Sequence, residues 1–403
     1  GHVRYSTTGS SVLKNAQPLM VDYSRGTIAI AHNGNLTNTR TLRRQLEAKG
    51  SIFQTTSDSE IVLHILAGLR VKEEKDAVLR MLQKIRGAYC LGLMTKEEII
   101  GIRDPNGFRP LCLGQLDGAY VLASESCALD LINATFIREV EPGEVVIINA
   151  KGVESLYPFG KNRRQSFCIF EHIYFARPDS FIFGDNVHQV RKRLGAQLAR
   201  EYGVDADLVI AIPDCGISAA IGYAQESGLP FDVGVTRNHS IGRTFLQPRQ
   251  AIRDFGVRVK LNPVREVIRG KRLVVVEDSI VRGTTTVLRM ASLREAGAKE
   301  IHLRVSCPPH RFPCFYGIDF ATKKELIGAN KSVEEIARFL NIDSLGYLSK
   351  EGMLSCLGEM KGNFCTGCFD GEYPVAVELA EDKYITETDR LQEYMRFPES
   401  VAR

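Results

Sequence analysis

Apolar residues recur along this chain in two textures. Through residues 1–164 they alternate with polar ones in short runs, at 27–31, 90–94, 99–103 and 145–149. A period of two marks strands with one buried face. Helical spacing appears at 39–49 and 59–69, and Pro105-Asn106-Gly107 and Glu141-Pro142-Gly143-Glu144 read as tight turns. Strands interleaved with a few helices predict an α+β layered domain over 1–164. Over 165–403 the runs lengthen: 208–213, 233–236, 272–276 and 300–306 read as parallel strands, and 187–201, 218–226 and 285–296 as helices. That series predicts an α/β domain whose sheet is covered on both faces.

The richest chemistry follows the strand at 272–276. It ends in two adjacent carboxylates, Glu277 and Asp278, and runs through Ser279, Arg282, Gly283, Thr284, Thr285 and Thr286 into a helix. Ligands of open α/β sheets collect outside the carboxyl ends of such strands. An acid pair there suits sugar hydroxyls or a hydrated Mg²⁺, while backbone N–H groups and hydroxyls suit a phosphate at a helix N-terminus. A phosphorylated sugar would use both halves; surface acids beside an ordinary turn are the plain alternative. A second turn of this kind is Pro213-Asp214-Cys215-Gly216-Ile217-Ser218. Between the two, 236–260 carries Arg237, Arg243, Arg249, Arg253, Arg258 and Lys260 among Gly242, Pro248 and Gly256. It reads either as a solvated basic loop or as a lid closing over an anionic substrate.

Three shorter motifs mark the first region: Gly1-His2-Val3-Arg4, Ala31-His32-Asn33-Gly34-Asn35 and Thr56-Ser57-Asp58-Ser59-Glu60. Each alone is weak, since Asn33-Gly34 could be a turn, Arg4 a salt-bridge partner and Asp58 a helix cap. Near the C-terminus, Cys365-Thr366-Gly367-Cys368 is compatible with zinc, a redox pair or two incidental thiols.

Composition bounds these readings. A chain of 403 residues, 44% hydrophobic, can bury two cores. With 52 basic against 48 acidic residues, the balance is too even for nucleic-acid binding as the main activity. No apolar run reaches transmembrane length and no secretory leader is visible, so no membrane partner is expected. Ten cysteines without a secretory signal point to a reducing compartment, by default the cytoplasm. The chain starts at Gly1, in what reads as a strand interior, so upstream sequence is expected to be missing.

The string V-E-D-S-I-V-R-G-T-T closely resembles the phosphoribosyl-pyrophosphate (PRPP) motif of type I phosphoribosyltransferases, in the version found in glutamine PRPP amidotransferases. The resemblance implies that Glu277 and Asp278 face the ribose hydroxyls and magnesium, while Arg282 to Thr286, with Gly283, Thr284 and Thr285, wrap the 5-phosphate. It also implies that the turn with Asp214 and Gly216 binds pyrophosphate. The family commonly has Ser after that Asp; Cys215 stands there, and a thiol is a poor ligand for Mg²⁺. R-N-H-S-I-G-R-T-F-L-Q-P resembles the family's flexible loop, which favours the lid.

The three N-terminal motifs, in this order, resemble the glutaminase domain of class II amidotransferases, with an N-terminal-nucleophile fold. By that resemblance Arg4 would pair with the α-carboxylate of glutamine, Asp58 with its α-ammonium, and Asn33 with the Gly34 N–H would form the oxyanion hole. The family's nucleophile is a Cys at the mature N-terminus; residue 1 is Gly, so no catalytic nucleophile is expected within this chain. Cys168 and Cys314 match the iron–sulfur form of the family, which implies a [4Fe–4S] cluster on Cys168, Cys314, Cys365 and Cys368, with Cys₄ zinc as the competing site. Purine nucleotides as feedback inhibitors and a homo-oligomer are further implications. Two other classes stay open: an ammonia-dependent phosphoribosyltransferase with a non-catalytic first domain, and a non-catalytic PRPP-binding regulator.

Overall fold

Ile28 and Ile30, on the strand Gly26–Leu36, turn the same way and begin the first core. The computed structural model describes residues 1–3, 12–161, 163–238, 261–319 and 322–377. Gly26–Leu36 lies second in a six-stranded sheet ordered Leu19–Tyr23, Gly26–Leu36, Gly87–Met94, Ile99–Arg103, Val145–Asn149 and Gly152–Leu156. All neighbours in it are antiparallel. On one face Ile30, Leu91, Leu93, Ile100, Ile102, Val145 and Ile147 meet Ile61, Leu66, Val78 and Met81 of the helices Ser59–Gly68 and Glu74–Leu82. Cys90 and Val146, one residue out of step with Leu91 and Val145, go to the other face with Leu111 and Val140. The two-residue period therefore serves two cores at once. A three-stranded sheet (Ala119–Ala123, Cys112–Leu116, Thr135–Glu139) holds a third cluster, of Cys112, Leu129 and Ala134.

The chain divides into two compact units. The first comprises the described residues up to Phe167 together with Cys314–Asp319 and 373–377; the second comprises those of Cys168–Pro313 and 322–372. In the second, four parallel strands run in the order Leu208–Ala211, Arg272–Glu277, Glu300–Val305 and Ser344–Tyr347. Val274, Val275, Val276, Ile301, Leu303 and Val305 have no exposed surface, as strands covered on both faces require. The helices Val187–Glu201, Gly216–Ser227 and Thr284–Glu295 fall where the apolar spacing placed them. A fourth, Val333–Leu340, opens on a reciprocal cap between Ser332 and Glu335.

One expected strand sits elsewhere. The run at 233–236 is not a fifth parallel strand: Val235–Arg237 pairs antiparallel with Leu261–Pro263 in a separate two-stranded ribbon. Just before it, Phe231 makes an isolated parallel bridge to Val209. Beyond it the Gly234 N–H donates to the Asp232 carbonyl at 3.1 Å, a tight turn that takes the chain away from the parallel ladder.

Candidate active site

In the first unit the described site residues cluster at the end of the strand Gly26–Leu36. Asn33 and Gly34 lie on that strand, opposite Cys90 and Tyr89. Gly34 has φ +143°, and a Cβ there would stand 2.2 Å from the Ala88 carbonyl oxygen. No other residue fits that backbone. Asp58 is buried at the cap of the helix Ser59–Gly68. Its Oδ2 accepts the Leu36 N–H at 3.0 Å and lies 3.5 Å from His32 Nδ1.

A network that the sequence did not reveal holds these groups. Gln17 Oε1 accepts the His32 N–H at 2.7 Å, and Gln17 Nε2 donates to Ser59 Oγ at 3.0 Å. Asn15 both donates to Thr56 Oγ1 and accepts the Thr56 N–H, at 2.8 and 3.0 Å. Burial works to raise the Glu60 carboxyl, but the His64 side chain first, and then the N–H bonds it accepts from Gln54 and Thr55, hold it down at about 2. Arg4 lies outside the described residues.

In the second unit, two neighbouring parallel strands end side by side. Ala211 pairs with Val276, so the turns after them share one edge of the sheet. Glu277, the last residue of its strand, is turned inward: Thr286 Oγ1 donates to Oε2 at 3.5 Å, and Arg289 forms an ion pair with Oε1. Burial pushes this carboxyl up to about 7, against the pull of the Arg289 guanidinium. Asp278 is partly exposed and accepts from Ser279 Oγ at 2.6 Å; burial raises its carboxyl as well. Gly283, with φ +78°, swings the chain into the helix, leaving Thr284 and Thr285 exposed and Thr286 buried. Arg282 is exposed, its Nε 3.4 Å from Glu325 Oε1.

The adjoining turn is shaped by close approach. A Cβ on Gly216 would stand 2.6 Å from the Val276 carbonyl oxygen, so glycine lets the two strand ends lie together. Asp214 is about half exposed and ion-paired to Arg237. Ser218, the last residue of that motif, is buried and bonded to His188 Nδ1 at 2.8 Å. Burial, and after it the Asp278 charge, push the Cys215 thiol up to about 12. It stays a neutral thiol at neutral pH, which removes it further from hard-cation ligation. Arg289 was missed in the sequence, although it follows Thr286 by one helical turn. Residues 239–260, most of the expected lid, lie outside the described residues.

The four cysteines divide between the units. In the second, Cys168 ends the strand Phe167–Cys168, which pairs with Phe364–Cys365, and Cys368 follows on the turn Gly367–Asp370. The Arg311 and Phe312 N–H groups, just before Cys314 in the chain, both donate to the Cys368 carbonyl at 3.1 Å. Cys314 belongs to the first unit. Among the described residues no three His, Cys, Asp or Glu side chains form a group arranged to hold a metal ion. Nor is any helix among them long and apolar enough to cross a membrane.

Comparison with known proteins decides the family. Residues 2–131 match the family model described as a glutamine amidotransferase domain. The amidophosphoribosyltransferase of Bacillus subtilis is 49% identical over 382 residues, covering 94% of this chain and 80% of that protein. The chain belongs to the amidophosphoribosyltransferase family. A chloroplastic member from Glycine max is 50% identical over 385 residues, 95% of this chain and 68% of that protein. The structure of the B. subtilis glutamine PRPP amidotransferase complexed with ADP and GMP superposes with a TM-score of 0.87 at 48% identity, covering 94% of this chain and 83% of that one. A second structure, described as the allosteric regulatory enzyme of purine biosynthesis, gives 0.89 at 47%, covering 96% and 84%. The family fold is an N-terminal-nucleophile glutaminase domain followed by a type I phosphoribosyltransferase domain, in agreement with the layered and parallel sheets described above.

Proposed function

We propose that this chain serves the amidophosphoribosyltransferase reaction, its glutamine half requiring the N-terminal Cys nucleophile that residues 1–403 do not supply: PRPP, glutamine and water give 5-phosphoribosylamine, pyrophosphate and glutamate, the first step of de novo purine synthesis. The observation that carries this reading is the pair of adjoining strand-end turns, one bearing Asp278 and the exposed Thr284 and Thr285, the other Asp214 and Gly216. We assign 1–164 to glutamine hydrolysis and 165–403, with a C-terminal cluster-binding segment, to phosphoribosyl transfer.

In the glutaminase step Arg4 and Asp58 hold the amino-acid end of glutamine. The family's N-terminal Cys, which residues 1–403 do not supply, adds to the amide carbon; Asn33 and the Gly34 N–H stabilise the oxyanion, the C–N bond then breaks to free ammonia, and water hydrolyses the thioester to glutamate. Ammonia released there attacks C1 of PRPP, the C1–O bond to pyrophosphate breaks, and the leaving group carries away the electron pair. The chain's part in this second step is to position the reactants and stabilise charge. Asp278, the partly exposed acid, is the first contact for the ribose hydroxyls, with Glu277 behind it. Ser279 and Arg282 to Thr285 receive the 5-phosphate, and Asp214 and Gly216 border the pyrophosphate.

Magnesium fits this donor set as a companion of the substrate. Mg²⁺ keeps several waters and takes one or two carboxylates plus substrate phosphates, so Glu277 and Asp278 need not form a cage by themselves. For the cysteines we propose a [4Fe–4S] cluster on Cys168, Cys314, Cys365 and Cys368, supported by the strand pairing of Cys168 with the Cys365 segment and by the bonds from Arg311 and Phe312 to Cys368. Such a cluster would staple distant segments. Purine nucleotides are proposed as feedback inhibitors, in line with the ADP- and GMP-bound relative. A homo-oligomer in the cytoplasm completes the reading.

Asp278→Asn tests it. The variant should fold normally and lose ammonia-dependent phosphoribosylamine formation by roughly 10²-fold or more, as expected when a preorganised charge is removed. Wild-type turnover in that variant would remove Asp278, and the site built on it, from the assignment.

A further inference from the structure

Two described stretches from the second half of the sequence, Cys314–Asp319 and 373–377, belong to the glutaminase unit. Cys314–Asp319 is grouped with residues 1–167, although Pro313 before it belongs to the other unit. Its anchors are specific. Phe108 and Tyr316 stack with ring centroids 4.3 Å apart, and Tyr316 Oη donates to the Val375 carbonyl at 2.6 Å. The Tyr316 N–H donates to Cys314 Sγ at 3.4 Å.

The segment lands on the oxyanion strand. Asn35 Nδ2 donates to the Phe315 carbonyl at 3.0 Å. Gly317, at φ +94°, lies so close that a Cβ on it would stand 2.8 Å from the Gly34 carbonyl carbon and 2.9 Å from its Cα and oxygen. Gly34 in turn has its own missing Cβ directed at the Ala88 carbonyl. Three backbone segments therefore meet without side chains between them, and the Gly34 peptide is held on both sides. An oxyanion donor works only where the developing charge will be, and an error of about 1 Å in such a group can cost about 100-fold in rate.

We propose that Gly317 and Asn35 are positioning residues for the glutaminase: they clamp the strand Asn33-Gly34 so that the Gly34 N–H meets the tetrahedral intermediate. The inference rests on the function proposed above. Because the clamp is made by residues 314–319, it also ties glutamine hydrolysis to a segment whose chain neighbours lie in the phosphoribosyltransferase unit.

The test compares glutamine-dependent with ammonia-dependent phosphoribosylamine formation in the complete gene product, for wild type, Gly317→Ala and Asn35→Ala. Glutamine-dependent activity of the wild type reports on the functional reading itself, separately from the clamp. Gly317→Ala should lower glutamine-dependent kcat by roughly 10- to 100-fold with KM for glutamine nearly constant, the pattern of an interaction made only in the transition state. Ammonia-dependent turnover should stay close to wild type. Asn35→Ala keeps the glycine contact and should show the same split at smaller size; it decides the matter if Gly317→Ala does not fold. Equal loss of both activities, a change confined to KM, or unchanged glutamine turnover in both folded variants would overturn the proposal.

Discussion

Asp58 holds the last residue of the strand Gly26–Leu36: its Oδ2 accepts the Leu36 N–H at 3.0 Å. The same carboxylate is the proposed partner of the glutamine α-ammonium, so one side chain sets both the strand and the substrate. Two substitutions separate these duties. Asp58→Asn keeps an oxygen acceptor for Leu36 but loses the charge, and KM for glutamine should rise by about 10-fold or more, the scale of a charge-assisted hydrogen bond. Asp58→Ala also strands a buried N–H, which costs about 1–3 kcal/mol and should lower the melting temperature further. An unchanged KM in Asp58→Asn, measured by steady-state kinetics, would remove the residue from the glutamine site.

Glu277 gives stability a distinctive pH dependence. Its carboxyl sits at about 7 in the folded chain against an ordinary value of 4.5. Between those values the folded state binds more protons than the unfolded one, so this group's contribution falls as pH rises from about 4.5 to about 7. Glu277→Gln removes the titrating group while keeping polar contacts to Thr286 and Arg289. Melting temperature plotted against pH should therefore fall less steeply across that window in the variant, whatever its absolute value. Parallel curves for the two proteins would show that Glu277 is already ionised when folded.

Much of this was legible in the chain, and the exceptions share a cause. The helices Val187–Glu201 and Ser59–Gly68 and the strand Arg272–Glu277 follow from local apolar spacing, because each buries a face whose period is visible within its own length. The acid pair and its threonines were legible for the same reason: a strand end and a helix start lie adjacent in sequence. Ser344–Tyr347 was not, since a short strand with Ser and Gly carries little β signal and exists through its pairing with Glu300–Val305. Asn15 and Gln17 act on Thr56, His32 and Ser59 from 15 to 42 residues away, and Phe315 meets Asn35 across 280. Contacts at that separation leave no periodic trace.

Cys215 offers a narrower test of the transferase site. Its thiol is pushed up to about 12, with burial and the Asp278 charge as the main causes, so it is a neutral group in the turn proposed to border the pyrophosphate. Cys215→Ser replaces it by a hydroxyl, a harder donor better suited to Mg²⁺. The variant should remain active, and half-saturating Mg²⁺ at fixed PRPP should fall. A higher Mg²⁺ requirement would show that the thiol itself supports the bound metal.

The cysteine assignment is open to direct chemistry. None of the ten cysteines is in a disulfide, and Cys168, Cys365 and Cys368 gather at the paired strands and turn of the second unit. Protein prepared without oxygen should be brown and contain about four irons per chain, as a Cys₄-ligated cube requires. Cys168→Ser and Cys365→Ser should each lower iron content and the melting temperature, because the thiolate bonds join segments far apart in sequence. Exposure to air should bleach the visible absorption and increase proteolysis. Zinc on the same thiolates would instead give a colourless protein indifferent to air. Stoichiometric zinc with no iron after anaerobic purification would replace the cluster by a structural zinc site, while leaving the transferase and glutaminase assignments to their own tests.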